Sequence, residues 1–314
     1  MSLHVVLGKG PVGSTLTARL VDQGHDVRVL SRSGGGPTLP RVEHVAVDAS
    51  DTTALTSAAR GAAALYNCAN PPYHRWAEQW PPIAQALLDA AEATDAVLVT
   101  MGNLYAYGPV DVPMTEDLPL AAAGTKGQVR AAMWTQALSR HQAGTLRTVE
   151  VRASDFVGPG VTDGGMLGER AVPALLRGRT VRVLGDPSVA HSWTAIGDVA
   201  TALAVAGSDE RAWGRAWHVP TAPAVSAREA VHGMCRAAGV PEVTVSQLPH
   251  RALRAAGLVV PLPRELEETR YQFVRPFVLD SSAFSETFGL AATPLEQTWA
   301  QTVDWWRSRL SAAA

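Results

Sequence analysis

The amino-acid sequence predicts an α/β fold with a doubly wound parallel sheet and a smaller C-terminal α/β lobe. Short apolar runs alternate with helical patterns through the first half of the chain, which is typical of βαβ units. A glycine-rich turn at residues 8–13 joins the first apolar run to the first helical pattern. The second half keeps short strand and helix patterns but loses the regular alternation, and this predicts the smaller lobe.

The composition is that of an ordinary globular protein. The 314 residues are 46% hydrophobic and 18% charged, and 27 basic side chains nearly balance 29 acidic ones. This length allows one large domain or two smaller ones. The near-neutral charge argues against a nucleic-acid-binding surface. Of the basic residues only Lys9 and Lys126 are lysine, which fits a composition rich in arginine, alanine and glycine.

Several absences indicate a cytoplasmic protein. No stretch approaches the roughly 20 apolar residues of a membrane span, and the N-terminus shows no charged leader or cleavage site before the first strand pattern. Two cysteines, Cys68 and Cys235, make a disulfide framework implausible and fit a reducing compartment. The histidines lack metal-ligand spacing, so we expect no metal site.

The first elements follow from local patterns. His4–Leu7 is an apolar run of the length of a buried strand, and a helix follows over Ser14–Gln23. Leu16 and Leu20 share one face of that helix, and Gly24 ends it. By the same signs the next strands cover 27–30, 43–47, 62–68, 96–101 and 146–152, and the next helices cover 83–94 and 127–141.

After residue 156 the predicted elements are shorter. Strands are expected near 181–184 and 216–219, with helices near 199–206 and 228–238. A terminal helix carries Trp299, Val303 and Trp306 on one face.

The turn at residues 8–13 has the form of a phosphate-binding loop. Its sequence is Gly8, Lys9, Gly10, Pro11, Val12, Gly13. The first glycine permits the tight turn, the second lets the backbone approach a pyrophosphate, and the third lets helix and strand pack closely. The helix N-terminus offers N–H groups to the anion. We therefore predict a dinucleotide site on a Rossmann-type sheet.

The end of the second strand bears on which dinucleotide binds. An NAD site usually has Asp or Glu there to bond the ribose 2′-OH, but this chain has Ser31 and Arg32. A guanidinium pairs well with a 2′-phosphate, and Lys9 in the glycine loop could reach the same group. The sequence predicts NADP(H); the alternative is that Arg32 is a solvated turn residue.

Other cofactor candidates follow later strands. Asp48, with Ala49, is placed to accept from the adenine amino group, or is a solvated loop residue. Small side chains after the fourth strand leave room for a dinucleotide, or are ordinary packing: Cys68, Ala69 and Asn70. The end of the fifth strand adds Thr100 and Met101.

Several segments resemble the extended short-chain dehydrogenase/reductase family, the NAD(P)-dependent epimerase/dehydratase group. They are the glycine loop and residues 67–70, 97–108, 115–120, 152–159 and 193–200. The resemblance implies an NADP-binding Rossmann domain over 1–156 and a mainly substrate-binding lobe over 157–314, with about 190–220 returning to the Rossmann core. It also implies a possible homodimer and a nicotinamide cradle made by Ala153, Ser154, Asp155 and Phe156.

The catalytic pattern departs from that family. Its members have Ser or Thr four residues before a Tyr-Gly pair, and a Tyr-x-x-x-Lys on the next helix. Here Asn103 stands at the Ser/Thr position. Counted forward from Glu116 and Asp117 without a gap, Lys126 falls at the family's tyrosine position and Arg130 at its lysine position. A shifted alignment keeps Lys126 as the lysine that binds the ribose, and Ala122 then falls at the tyrosine position. Because the tyrosine is missing in both, we expect an atypical member.

Three residues are candidates for the lost catalytic function. Asn103 can donate a hydrogen bond to a developing alkoxide but not a proton. Tyr105, two residues on, should face the same cleft, as a proton donor or as an aromatic lid. Lys126 binds the ribose of the cofactor, or it donates a proton itself if burial and the nearby charge of Arg130 make its ammonium group give up a proton more readily. A fourth possibility is a proton from the substrate or from water.

Residues 70–76, together with Trp80, follow the fourth strand and are rich in aromatic side chains; this segment is here the aromatic loop. It indicates a substrate site, since open α/β sheets bind ligands at the carboxyl edge. It predicts a flat or aromatic substrate, or alternatively a hydrophobic plug against the C-terminal lobe. The substrate-site candidates are Tyr73, Trp76, Trp80, Asn103, Tyr105, Tyr107, His191 and Trp193.

The leading hypothesis is an NADP(H)-dependent ketoreductase that acts on a bulky or aromatic carbonyl compound. One alternative, which the family resemblance implies, is a nucleotide-sugar epimerase or dehydratase. The other is a non-catalytic NADP-binding regulator that lost the tyrosine but kept the fold.

Overall fold

A computed structural model describes residues 1–162, 165–251, 254 and 261–312. The chain divides into two compact units. The first unit, here the sheet unit, comprises Met1–Gly108, Pro119–Arg152 and Val199–Val219. The second unit comprises Pro109–Leu118, Ala153–Asp198 and Pro220–Ala314. The sequence predicts a domain boundary at residue 156 and a return of the chain to the Rossmann core at about 190–220; the sheet unit contains Val199–Val219 and stops at Arg152.

The strands of the described residues, in chain order, are β1 Leu3–Leu7, β2 Asp26–Ser31, β3 Val42–Ala46, β4 Ala62–Asn67, β5 Val97–Asn103, β6 Thr148–Ala153, β7 Asp155–Val157, β8 Val181–Val183, β9 Ala190–His191, β10 Trp193–Ala195, β11 Ala216–His218, β12 Val225–Ser226 and β13 Val245–Gln247. The helices are α1 Pro11–Asp22, α2 Thr52–Ala59, α3 Trp76–Thr94, α4 Thr125–Gln142, α5 Val172–Leu176, α6 Ile196–Ser208, α7 Ala227–Ala238, α8 Pro261–Glu268, α9 Ser282–Phe288 and α10 Leu295–Ala312. None of the described helices is long and apolar enough to cross a membrane.

The central sheet has seven strands in the order β11-β6-β5-β4-β1-β2-β3. Strand β1 pairs in parallel with both β2 and β4, so that Val5 lies between Arg28 and Leu65. The order runs outward from β1 in both directions, which is the doubly wound arrangement. The predicted fold class is therefore confirmed.

Successive side chains of β1 point to opposite faces of the sheet. Val5 and Leu7 belong to a core formed with α2, α3 and α4, in which Leu87 of α3 is buried. Val6 faces the other way and lies against Gly13 at the start of α1. Each face is thus covered by helices, and the connections after the strands converge at one edge.

The second unit has its own core. Strand β7 pairs with β10, β8 with β13, and β9 with β12. Helix α7 begins with a capping box between Ser226 and Glu229. Its apolar face packs with the terminal helix α10, whose Trp299, Val303 and Trp306 are buried as the sequence pattern predicted.

Three helices near the carboxyl edge begin earlier than predicted: α1 begins at Pro11 instead of Ser14, and α3 and α4 follow the same trend. The helix expected at 83 begins at Trp76, after a short 3-10 turn over Tyr73–Arg75. Trp76 and Trp80 are buried one turn apart, and this packing holds the first turns helical although Pro81 and Pro82 lie within them. Helix α4 begins at Thr125 instead of 127, which places Lys126 in its first turn.

A small polar cluster lies near the amino end of β1. His4 Nδ1 is 3.1 Å from the Tyr66 hydroxyl, and Ser2 Oγ is 3.0 Å from both His4 Nε2 and His25 Nδ1. Burial, with a smaller contribution from His25, lowers the pKa of His4 from 6.5 to about 4. His4 is therefore neutral in the folded chain at neutral pH.

Acidification should destabilise the protein through His4. The unfolded chain takes up a proton at this residue below about pH 6.5, whereas the folded chain resists it down to about pH 4, so stability falls across that window. The shift corresponds to a loss of about 3 kcal/mol. Urea unfolding at about pH 7 and about pH 4.5 should show a smaller loss in His4→Gln than in the wild type. A His74→Gln control, at an exposed histidine, should keep the wild-type loss; equal losses in all three proteins would contradict the assignment.

Candidate active site

The turn between β1 and α1 has the geometry of a dinucleotide-binding loop. Gly8 has φ +109°, and a Cβ there would lie 2.6 Å from the Cys68 carbonyl oxygen. A Cβ on Gly13 would lie 1.9 Å from the Gly8 carbonyl oxygen. By contrast, a Cβ on Gly10 would meet no atom within 4 Å. Gly8 and Gly13 are thus required by packing, while Gly10 borders open space at the helix start.

The start of α1 is arranged to bind an anion. Gly10 is its N-cap and provides no capping side chain, and Pro11 stands in the first turn. The N–H groups of that turn, at the positive end of the helix dipole, therefore point toward the open space beside Gly10. These residues fit the pyrophosphate of a dinucleotide.

Two cations border the loop that follows β2. Lys9 Nζ donates a hydrogen bond of 2.7 Å to Ser33 Oγ, and Arg32 is exposed. Ser31 Oγ donates to the Gly35 carbonyl and accepts from the Gly35 N–H, which closes the loop on itself. The glycine turn and the end of β2 are thereby joined, with two positive side chains at one place.

The other predicted cofactor residues lie along the same edge. Asp48 Oδ1 accepts from the Ser50 N–H at 3.0 Å and from Ser50 Oγ at 2.8 Å. These bonds, with a smaller contribution from Arg32, lower the pKa of the Asp48 carboxyl. Ala49 follows it in the turn before α2. At β5, Thr100 is half-buried and Met101 is buried.

The end of β4 lies against the glycine turn. The Cys68 N–H donates to the Leu7 carbonyl at 2.8 Å, and Asn67 Oδ1 accepts from the Ala69 N–H at 3.3 Å. Burial raises the pKa of Cys68 to about 12, so its thiol is no nucleophile at neutral pH. Asn70 is exposed. Asn67 Nδ2 is buried and has no hydrogen-bond partner among the described residues; the sequence signal for it is a polar residue at the end of an apolar strand.

Beyond β5 the structure brings together three predicted site residues. Asn103 Oδ1 accepts from the Tyr105 N–H at 3.1 Å, which leaves the Asn103 amide Nδ2 as the group that can donate to a substrate oxygen. The Tyr105 hydroxyl is 2.7 Å from the Tyr73 hydroxyl. Both tyrosines are half-buried.

Lys126 lies beside this hydroxyl pair. It is buried in the first turn of α4, with its Nζ 5.7 Å from the centre of the Tyr73 ring. A Cβ on Gly127 would lie 2.5 Å from the Tyr105 carbonyl oxygen, so the start of α4 packs closely on the turn that carries Tyr105. Asn103, Tyr105, Tyr73 and Lys126 therefore form one polar cluster, here the Tyr-Lys cluster.

Arg130, one turn further along α4, is enclosed by indole rings. Its guanidinium carbon lies 4.7 Å from the centre of the Trp76 ring and 4.6 Å from that of Trp80. Nη1 donates to the Met101 carbonyl at 3.4 Å, while Nε has no hydrogen-bond partner among the described residues. Burial lowers the pKa of the Arg130 guanidinium. Trp76 and Trp80, predicted to line a substrate site, support the cluster from behind in this structure.

Tyr107 belongs to a buried network that the sequence did not indicate. Arg152 Nη1 donates to the Tyr107 oxygen at 2.7 Å, and the same hydroxyl is hydrogen-bonded to His218 Nε2, also at 2.7 Å. Arg152 Nε donates to Glu150 at 2.5 Å. Burial acts to lower the pKa of Arg152, but Glu150 and Tyr107 outweigh it and raise the pKa. The network anchors the turn at Tyr105–Tyr107 from below.

The remaining predicted residues lie in the second unit. His191 Nε2 is 2.8 Å from Asp155 Oδ2, and its Nδ1 is 3.2 Å from the Gln272 carbonyl. Trp193 packs on His191, with ring centres 4.5 Å apart. Ser154 is buried. Ala153 ends β6, and Phe156 lies within β7. No group of three His, Cys, Asp or Glu side chains that could hold a metal ion occurs in the part of the chain that the structure describes.

Residues 5–218, more than half of the chain, match the family described as NAD dependent epimerase/dehydratase. The chain belongs to this family. Its members are NAD(P)-dependent enzymes, and the resemblance stated from the sequence motifs is confirmed.

Comparison with individual proteins agrees with this membership. The chain is 28% identical, over 261 residues, to dTDP-6-deoxy-L-talose 4-dehydrogenase (NAD(P)(+)) of Kitasatospora kifunensis, covering 76% of this chain and 80% of that protein. Among solved structures, dTDP-glucose 4,6-dehydratase of Bacillus anthracis in complex with NAD aligns with a TM-score of 0.81 and 16% identity, over 99% of this chain and 98% of that one. UDP-glucose 4-epimerase of Thermotoga maritima with UDP-glucose aligns with a TM-score of 0.81 and 17% identity, over 98% of this chain and 99% of that one. At these identities the structural likeness shows the fold.

Two glycine substitutions should separate packing from binding in the β1–α1 turn. Gly10→Ala adds a methyl group where there is open space, so the variant should melt within a few degrees of the wild type but bind NAD(P)H at least about tenfold more weakly, a loss of about 1.4 kcal/mol. Gly13→Ala forces a backbone clash and should lower the melting temperature. Thermal melts and fluorescence titration measure both. Unchanged cofactor affinity in Gly10→Ala would show that the open space is not the dinucleotide site.

Proposed function

We propose that the protein is an NADP(H)-dependent oxidoreductase that interconverts a ketone and a secondary alcohol on a nucleotide-linked sugar. The observation that carries the proposal is the Tyr-Lys cluster at the carboxyl end of β5. It combines an amide donor, two phenol hydroxyls and an ammonium group, which are the groups that can stabilise and protonate an alkoxide.

The preference for NADP(H) is supported by the cations at the end of β2. Lys9 reaches across to Ser33, and Arg32 is exposed beside it. No carboxylate stands at that strand end to bond a 2′-OH, and two positive groups favour a 2′-phosphate. The glycine turn and the α1 N-terminus would hold the pyrophosphate.

A sugar nucleotide is a better-supported substrate than the aromatic carbonyl compound expected from the sequence. The aromatic loop suggested a flat ligand, but the rings of Trp76 and Trp80 pack against the Arg130 guanidinium. The groups of the Tyr-Lys cluster are polar and suit a hydroxylated ring. The related talose dehydrogenase is named for a dTDP-linked deoxysugar.

Net oxidation or reduction is favoured over epimerisation and dehydration. In the last two reactions the hydride returns to the same substrate, so the cofactor need not exchange. The relative named above is a 4-dehydrogenase, and an exchanging NADP(H) fits such a reaction.

When bound, the cofactor supplies or accepts the hydride. The chain's own groups then act on the substrate oxygen: Asn103 Nδ2 donates a hydrogen bond to it, and the Tyr-Lys cluster supplies the proton. Lys126, buried next to Tyr73, adds positive charge where negative charge develops, which lowers the barrier.

Replacing the cations tests the cofactor preference. Arg32→Ser and Lys9→Met should each weaken NADPH binding about 10- to 100-fold, since a charge-assisted hydrogen bond contributes about 1.5–3 kcal/mol. NADH binding should change by less than about twofold, because NADH has no 2′-phosphate. Fluorescence titrations give both constants. Arg19→Ser, at an exposed arginine of α1, is the matched control; equal losses for NADPH and NADH would contradict the assignment.

Turnover tests the reaction itself. The purified protein should reduce NADP⁺ with dTDP-6-deoxy-L-talose, or oxidise NADPH with the corresponding 4-ketone, followed by the absorbance of the reduced nicotinamide. Lys126→Met should lower kcat about 10²- to 10⁴-fold, the usual contribution of acid–base and charge stabilisation, while melting temperature and Arg19→Ser activity stay near the wild type.

The same assay distinguishes the alternatives. Turnover of aromatic ketones without turnover of sugar nucleotides would favour the substrate class expected from the sequence. Cofactor binding without turnover of either class would contradict the proposal and indicate a non-catalytic regulator.

A further inference from the structure

We infer that the hydrogen-bonded hydroxyls of Tyr73 and Tyr105 form a two-proton relay that takes the place of the missing catalytic tyrosine. Tyr105 is the catalytic residue that protonates the substrate oxygen, and Tyr73 is a positioning residue that replaces the proton Tyr105 gives up. This inference rests on the proposed function and names its proton path.

The relay begins from the geometry of the two hydroxyls. Tyr73 follows β4 and Tyr105 follows β5, and their oxygens are 2.7 Å apart. At this distance one hydroxyl donates to the other. When Tyr73 is the donor, the proton of Tyr105 is directed away from Tyr73. Both side chains are half-buried, so one end of the relay can reach the substrate and the other can exchange with water.

The rings are held in this arrangement by Trp76. Its ring stacks on Tyr105 with centres 6.1 Å apart and planes at 30°, and it lies 4.9 Å from the Tyr73 ring. Trp76 Nε1 donates to the Pro71 carbonyl at 2.9 Å, which fixes the loop that carries Tyr73. Arg130 and Trp80 pack behind. Such support from packed neighbours is what a catalytic group needs to keep its position.

Lys126 supplies the charge that the relay requires. Its Nζ lies over the Tyr73 ring at 5.7 Å from the centre. A cation at that position favours the negative charge that arises on the phenols as the proton moves. The cooperation of a tyrosine and a lysine is thereby rebuilt from three segments: the loop after β4, the turn after β5 and the first turn of α4.

The step balances in the reducing direction. The carbonyl carbon gains the hydride of NADPH, a C–H bond forms, and the C=O π electrons move to oxygen. That oxygen takes the proton of Tyr105 as the Tyr105 O–H bond breaks. In the same step Tyr105 takes the proton of Tyr73, and water afterwards restores Tyr73. The substrate is reduced, NADPH is oxidised, and the net proton comes from solvent.

Conservative variants test the relay in the turnover assay. Tyr105→Phe should lower kcat about 10²- to 10³-fold and Tyr73→Phe about 10- to 100-fold, with KM and NADPH affinity within about twofold. Tyr66→Phe removes another hydroxyl hydrogen bond, to His4, and should leave kcat unchanged. Unchanged kcat in Tyr73→Phe would overturn the relay while the proposed function stands.

A proton inventory gives a readout that a merely structural role would not move. In mixtures of light and heavy water the wild-type kcat should depend on deuterium content along a curve, because two protons move together. Tyr73→Phe should give a straight line, because one proton remains. A straight line in the wild type would overturn the relay.

Fluorine NMR tests the hydroxyl coupling without turnover. The chain has five tyrosines, so 3-fluorotyrosine labelling gives few signals, and the Tyr→Phe variants assign them. The Tyr105 signal should titrate at higher pH in Tyr73→Phe, since its phenolate loses a hydrogen-bond donor, and an unchanged titration would overturn the pairing. Absence of wild-type turnover with sugar nucleotides and ketones would overturn the proposed function, and the relay with it, even if this coupling is found.

Discussion

The reversal of strand order at β1 is the constraint on which the arrangement of the first unit depends. Strand β1 pairs with β2 on one side and β4 on the other, so the connections that follow these strands diverge and open a crevice at the carboxyl edge. The glycine turn after β1, the cationic loop after β2 and the tyrosine-bearing segments after β4 and β5 all begin at this edge. One feature of topology thus gives the proposed cofactor residues and the Tyr-Lys cluster their common location.

Within that edge, buried charge is balanced by aromatic rings and hydrogen bonds. Arg130 lies against two indoles, and Arg152 donates hydrogen bonds to Glu150 and Tyr107. An uncompensated buried guanidinium would be strongly destabilising, so each contact also fixes its partner. Arg130 fixes Trp76, which stacks on Tyr105, and Arg152 fixes Tyr107 in the same turn. Two independent supports therefore hold the segment that carries the proposed proton donor.

The sequence predicted those parts of the site that depend on neighbours along the chain. The glycine turn, the cations at the end of β2 and the loss of the family's tyrosine were all visible, as were Asn103, Tyr105 and Lys126. The Tyr107–His218 bond joins residues 111 apart, and no periodicity or motif indicates such a pair. The aromatic loop was recognised, but the centres of the Trp76 and Trp80 rings lie 4.7 and 4.6 Å from the Arg130 guanidinium carbon, and such ring faces stabilise a buried cation.

By itself, the sequence determined the fold class, the family and the position of the glycine turn between β1 and α1. These follow from alternation, helical spacing and glycines with positive φ, which are local properties of the chain. Tertiary structure alone decided that Tyr73 meets Tyr105 beside Lys126, and that Trp76 and Trp80 enclose Arg130. The reason is physical: these side chains start from different strands and helices, and only the assembled parallel sheet and its packed helices bring them into contact.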